Sequence, residues 1–403
     1  MRNSAVKVLI AAALLALSVM PAFSQACRNA GNFDRWLEDF KREAMTQGIS
    51  GATLAAAAPF LSYDVNIIAK DRGQRVFSQT FLEFSDRMVA KYRLDIGAKK
   101  MRDLAAVFAR IESQYGVPAA PIVAFWGLET DFGANIGNLP TLRALATLAF
   151  DCRRPQLFRP QLIAALKIIQ RGDLSAEQMV GPFAGELGQL QFLPSHYFDH
   201  GVDFDGDGRR DLLKSAPDAL ASAGNFMRHL GWKRGQPWLQ EVRVPAQLPW
   251  DQADLSIKHP RSYWARLGVT LPNARPLPAD ELPASLLLPM GRFGPAFLAY
   301  PNFQVFLEWN QSLVYATSAA YLAARLAGAP AASRGPGQVP AFGYEQVREL
   351  QTILTRQGFD VGKIDGKLGL QTRAAVKQVQ MKLGFPADSY PSPELLERLR
   401  GGR

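Results

Sequence analysis

Between Pro118 and Gly133 the chain reads Pro-Ala-Ala-Pro-Ile-Val-Ala-Phe-Trp-Gly-Leu-Glu-Thr-Asp-Phe-Gly. Pro118 and Pro121 suit the start of a helix, and nothing from Pro121 to Leu128 is charged. A helix that is apolar all round must be enclosed by other elements. The segment therefore predicts a central buried helix that stops near Gly133. Glu129 sits at its C-terminal end. Lost solvation and the negative end of the helix dipole both favour the protonated carboxyl, which a general acid working near neutral pH requires. A helix-end Glu held in a salt bridge fits the same segment, so this helix alone does not decide the matter. Asp131, two residues on, points away from Glu129 on a regular helix and forms no obvious pair with it.

The rest of the chain supplies the enclosure. Phe33, Trp36, Leu37 and Phe40 recur at helical spacing in a helix pair over 33–60, broken at Gly48 and Ser50. Helical patterns resume at 99–115, 119–130, 140–149, 159–170, 175–181, 216–230 and 310–327. Residues 233–305 are proline-rich, with runs such as Glu241-Val242-Arg243-Val244, and read as short strands and loops. The prediction is a mainly α protein with a short β/loop insert. Gly328, Pro330, Ser333, Gly335, Pro336, Gly337 and Pro340 mark 328–342 as a linker between a large unit over 27–327 and a small helical one over 343–403. In the small unit Val347, Leu350 and Leu354 line one helix, Ala374, Val376, Val379 and Met381 a second, and Leu395, Leu396 and Leu399 a third.

Residues 1–26 read as a secretory leader: Arg2 and Lys7, an apolar run from Val8 to Met20, then Pro21 and small residues. The expected location is the periplasm. The chain carries 46 Lys and Arg against 36 Asp and Glu, a formal +10, which falls to +8 once Arg2 and Lys7 leave. A polyanionic partner follows. Secretion, and the lack of any basic run longer than two residues, argue against nucleic acid. Cys27 lies just past the cleavage region. It either carries lipid, which would add a membrane attachment, or pairs with Cys152. Ser24 and Gln25 are poor precursors for a lipoprotein signal, which favours the disulfide, worth ~2–4 kcal/mol.

Further along, Phe183-Ala-Gly-Glu186-Leu-Gly-Gln189-Leu-Gln191-Phe-Leu-Pro194-Ser195 sets two glutamines among glycines and apolar residues. Their amides offer donors and acceptors suited to sugar hydroxyls and acetamido groups. Asp203-Phe-Asp205-Gly-Asp207-Gly-Arg209-Arg-Asp211 matches the first nine positions of a calcium loop, with Asp203, Asp205, Asp207 and Asp211 as side-chain ligands and Arg209 offering its carbonyl. Lys214 stands where a bidentate Glu is expected, and Asp218 is a candidate substitute unless Ser215 and Asp218 instead open the next helix. His196, His200, His229 and His259 show no zincin spacing and read as loop or packing residues.

On these residues the chain resembles the B-type lytic murein transglycosylases, which are lysozyme-like with helical extensions. The likeness runs from about Phe33 to Leu326. It rests on Gly127-Leu-Glu129-Thr-Asp131-Phe-Gly133, Ala184 to Ser195, Val202 to Gly208, and Trp309-Asn310-Gln311-Ser312-Leu-Val-Tyr315-Ala316, in the family's order. The resemblance implies that Glu129 is the single catalytic acid and base, that Gln191 and Asn310 hold the glycan or its acetamido group, and that Tyr315 lines the cleft. Trp309 stands where a Tyr is common, keeping a stacking surface without the phenol. Pro182 stands where a hydroxyl residue is common. The implied reaction cuts peptidoglycan without water and leaves 1,6-anhydromuramic acid ends. A hydrolase pairing Glu129 with Glu186, and a wall-binding scaffold without activity, are the alternatives.

The C-terminal unit resembles the small three-helix peptidoglycan-binding domain, on Ile364-Asp365-Gly366-Lys-Leu-Gly369-Leu-Gln-Thr372 and the helix ending in Gln380. Asp365 is expected to bond the turn, Gly366 and Gly369 to take positive φ, and Thr372 to open the next helix. The implied partner is peptidoglycan, with other cell-wall enzymes as candidates and a monomer as the expected state. No cofactor is required, and any calcium is structural.

Overall fold

A computed structural model describes residues 31–73 and 79–401. The expected leader and Cys27 lie outside them; Cys152 is disulfide-bonded. No single helix among the described residues is long and apolar enough to cross a membrane.

The central helix runs Ala119–Thr130 behind Pro118, and every residue from Ala120 to Gly127 is buried. It is enclosed by the helices Lys91–Asp103, Ala105–Tyr115, Ala216–His229 and Leu313–Leu326. Ile122, Phe125 and Trp126 are among the largest fully buried side chains, each contributing ~1.5–3 kcal/mol on burial. Gly97 lets the neighbours close in: a Cβ there would stand 2.8 Å from Leu326 Cδ2 and 3.3 Å from Val123 Cγ1.

Two helix expectations need correction. The pattern at 99–115 is two helices, parted at Leu104. Residues 175–181 are not helical. Ser175 N–H bonds Gln178 Oε1 (2.9 Å) and Gln178 N–H bonds Ser175 Oγ (3.2 Å), closing a turn. Val180–Gly181 then pairs antiparallel with Leu139–Pro140, just before Pro182.

The 233–305 insert builds a four-stranded antiparallel sheet in the order Leu239–Val242, Ala296–Ala299, Pro283–Leu287, His259–Pro260. Its outer face packs its own core on Trp264, Leu286, Leu298 and Tyr300.

The small unit is three helices, Tyr344–Arg356, Leu370–Leu383 and Pro393–Arg400, around Leu350, Leu354, Val376, Val379 and Leu395. Met381 is exposed, outside this core. Gly366 takes φ 70°, but Gly369 stays at −75°. Thr372 is buried inside the helix and donates to Val361 O (3.1 Å). The turn is pinned by Gln351, whose Oε1 accepts from Asp365 and Gly366 N–H and whose Nε2 donates to Lys367 O.

The linker composition suggests a loose tether, yet 328–342 is fastened. Ser333 N–H bonds Glu241 (2.7 Å), Ala332 N–H bonds the Tyr321 hydroxyl (2.9 Å), and Gly337 N–H bonds Phe293 O (3.2 Å). The small unit docks on the β insert through buried Arg373, which donates to Leu288 O (2.6 Å) and Pro289 O (3.2 Å). Arg292–Asp388 and Lys377–Asp254 ion pairs flank it. Among the described residues Arg373 finds its only hydrogen-bond acceptors across this contact, so separation would strand a buried guanidinium.

Candidate active site

The last turn of the central helix delivers Glu129. Past Thr130 the chain reverses through three left-handed residues, Asp131 (φ 49°), Phe132 (62°) and Gly133 (87°). Two of them are not glycine, a conformation that costs energy and needs support. The Asp131 carboxylate accepts from Arg93 Nη2 (2.6 Å) and Nε (3.1 Å); Arg93 Nε also donates to Gly127 O (3.0 Å) and Nη1 to Met88 O (2.6 Å). A buried cation thus meets a C-terminal carbonyl of the central helix and the last carbonyl of the helix Phe81–Met88. On the other side Thr130 Oγ1 donates to Gln189 O (2.6 Å) and accepts from Gly133 N–H (2.9 Å). The two residues that follow Glu129 are thus both anchored.

Its carboxylate meets side chains from a distant part of the chain. Trp309, the last residue of the helix Phe303–Trp309, donates its indole N–H to Oε1 at 3.2 Å. The hydroxyl of Tyr315, in the first turn of Leu313–Leu326, donates to the same oxygen. No donor reaches Oε2 among the described residues. With Oε1 accepting two bonds, Oε2 is the oxygen left to carry a proton. Burial raises the Glu129 pKa to about 7; the two donors pull it down and the charge of Glu186 pushes it up. Burial and the neighbouring carboxylate hold the Tyr315 phenol well above its usual range, so it remains a donor.

One face of the half-buried Trp309 ring is already used inside the protein. That face lies on Phe125, ring centres 4.2 Å apart at 16°, with Phe192 and Phe226 each 5.5 Å away. It braces the carboxylate.

The two glutamines divide their work. Leu187 and Phe192 exchange backbone bonds (2.8 and 2.9 Å) and close a tight loop. Gln189 turns inward: Oε1 accepts from Trp126 Nε1 (3.0 Å) and Nε2 donates to Leu213 O (3.2 Å). Gln191, at φ 51°, uses its Nε2 on Gly188 O (2.9 Å) and Ile136 O (3.3 Å), leaving Oε1 as an open acceptor. Asn310 accepts from Ser312 N–H (2.9 Å), leaving its amide N–H groups open. Glu186 stands in the same loop as Gln191; its Oε2 is buried without a hydrogen-bond partner and burial raises its pKa.

The acidic loop folds differently from the linear motif. Asp203, Asp205 and Asp218 bring carboxylate oxygens within 4.8 Å of one another. Asp207 instead accepts from Arg209 N–H (2.8 Å), and Asp211 from Leu213 and Lys214 N–H (3.1 and 2.9 Å). Asp218 is buried, accepting from Phe204 N–H (2.8 Å) and Asp211 N–H (2.9 Å), while Ser215 caps the helix Ala216–His229. Asp218 thus lies beside Asp203 and Asp205 while its N–H bonds the Ser215 hydroxyl that opens the helix. His196 and His200 pack on Phe226, and His229 packs on His200.

Sequence reading missed Arg93 and Thr130 as supports. Thr130 adjoins Glu129 and was findable; Arg93 lies 38 residues from its partner and carries no local signal.

Residues 32–324 match the profile of the transglycosylase SLT domain, and residues 343–399 that of a peptidoglycan binding domain. SltB3 from Pseudomonas aeruginosa, solved in complex with NAG-anhNAM-pentapeptide, superposes with a TM-score of 0.84 at 39% identity, covering 92% of this chain and 99% of that one. Slt35 from Escherichia coli, solved in complex with calcium, gives a TM-score of 0.61 at 26% identity over 75% of this chain and 93% of that one. The membrane-bound lytic murein transglycosylase B of Escherichia coli K12 is 33% identical over 203 residues, 50% of this chain. The match spans about half that relative's length (55%).

Proposed function

Since the chain belongs to the transglycosylase SLT domain family, with its mostly helical, lysozyme-like fold, we propose that it is a peptidoglycan lytic transglycosylase in which Glu129 acts first as acid and then as base. The carrying observation is the Glu129 carboxyl: buried enough to hold its proton near pH 7, fixed through Oε1, and open at Oε2.

Protonated Oε2 gives its proton to the oxygen between N-acetylmuramic acid and N-acetylglucosamine. The leaving sugar departs with that proton and the bond to C1 breaks. The 2-acetamido carbonyl supports C1 from within the substrate. Glu129, now ionised and steadied by Tyr315 and Trp309, takes the proton of the C6 hydroxyl, whose oxygen bonds C1. The carboxyl ends reprotonated and no water is consumed. Because nucleophile and electrophile share one sugar, a second protein carboxylate is unnecessary. The free Oε1 of Gln191 and the free amide of Asn310 supply an acceptor and a donor for the substrate's amide and hydroxyl groups.

The leader-like residues 1–26 support a periplasmic location, and the C-terminal unit supports attachment to the wall. Asp203, Asp205 and Asp218 form a hard-oxygen set suited to calcium, which would tie the loop to the helix that Ser215 caps. A calcium-dependent rise in Tm that Asp205→Ala removes tests this.

Mass spectrometry of digested sacculi tests the reaction: the products should carry anhydro ends, lighter by one water than reducing ends. Reducing ends alone would overturn this reading in favour of a hydrolase.

A further inference from the structure

A cavity of about 500 Å³ opens away from Glu129, where the β insert, the end of the helix Leu313–Leu326 and the linker meet. Its size is that of a small-ligand site, and such sites favour junctions of this kind. Trp238, Phe297, Tyr300 and Tyr321 are among its walls. The polar tips of three of these rings are already occupied: Trp238 Nε1 donates to Ala320 O (3.0 Å), the Tyr300 hydroxyl to Gln240 Oε1 (2.6 Å), and the Tyr321 hydroxyl accepts from Ala332 N–H (2.9 Å). What they offer a ligand is ring surface. Of the two arginines in the lining, Arg261 is committed to Asp280 (Nε to Oδ1, 2.9 Å). Arg275 is exposed, and its guanidinium has no ion-pair or hydrogen-bond partner among the described residues. Opposite charge is also present: Glu241 lines the cavity and accepts from Ser333 N–H on one oxygen, the other having no hydrogen-bond partner among the described residues.

A sugar, hydroxylated on every edge, would find few free partners on these walls. A short peptide with small apolar side chains and a terminal carboxylate matches them better, placing its methyl groups on the rings and its carboxylate on Arg275 in a charge-assisted pair. We propose that this cavity is a second substrate site, taking the carboxylate-ended stem peptide of a peptidoglycan strand. The assignment rests on the peptidoglycan reading above.

The probe is a synthetic stem pentapeptide ending in D-Ala-D-Ala, free of sugar, titrated by calorimetry into the full chain and its Glu129→Gln variant. Both should bind it equally, since the site lies apart from the carboxyl. Arg275→Glu, at an exposed position, should weaken binding about tenfold or more. Ala324→Trp, which fills the cavity from the helix, should abolish it. The same peptide amidated at its C-terminus should bind like the Arg275→Glu case. No binding to the parent, or equal binding by parent and Arg275→Glu, overturns the proposal. Anhydro ends from sacculi are measured on the same parent preparation. If they form while the peptide fails to bind the cavity, only this site falls; if they do not form, the peptidoglycan reading falls with it.

Discussion

Glu129→Gln should make this protein more stable while abolishing its activity, and the gain should depend on pH. In the folded chain the carboxyl titrates near 7, against an ordinary 4.5, chiefly because burial penalises its charge. The folded state therefore binds this proton more tightly than the unfolded state. That contribution is fully present below about pH 4.5 and is lost as pH rises through about 7. At ~1.36 kcal/mol per pKa unit the interval is worth about 3 kcal/mol, which the parent forfeits at about pH 8. Gln keeps the shape, its Oε1 still accepts from Trp309 and Tyr315, and it carries no charge. Denaturant unfolding of parent and variant, followed by Trp fluorescence, should show the variant about 3 kcal/mol more stable at about pH 8 and nearly equal at about pH 4. A difference that ignores pH, or a variant less stable than the parent at about pH 8, would refute burial as the cause of the raised pKa.

Tyr315→Phe removes a donor to the ionised carboxylate. A charge-assisted bond worth ~1.5–3 kcal/mol corresponds to a rise of about 1–2 in the Glu129 pKa. The alkaline limb of the pH–rate profile should move upward while the maximal rate falls; a limb that stays in place would exclude Tyr315 as a partner of the acid. Asp131→Ala leaves Arg93 buried beside the helix end and should cost about 2 kcal/mol, between the values for exposed and buried pairs, read as a lower denaturation midpoint. Arg373→Met should free the small unit from the β insert, exposing 328–342 to limited proteolysis at a rate well above the parent's.

The central helix was legible because its signal is local. Uncharged residues from Pro121 to Leu128 admit only burial, and a carboxylate at the end of such a helix is necessarily short of water. The linker's composition and the helices of the small unit were legible for the same reason. The turn at 175–181 was misread because side-chain bonds between Ser175 and Gln178, together with strand pairing, outweighed a short apolar periodicity.

The sequence by itself determined that a buried helix would carry a proton-holding carboxylate, since burial and helix position follow from neighbouring residues. Tertiary structure decided what that carboxylate touches. Trp309 and Tyr315 arrive from 180 and 186 residues away, brought there by helix packing that no local pattern encodes. It also turned Gln189 into the core and left Gln191 with an open acceptor, although the two are alike in sequence. It drew Asp218 into the acidic cluster in preference to Asp207 and Asp211. It bound a linker that composition describes as loose, because the buried Arg373 guanidinium finds its carbonyl acceptors only when the two units are joined.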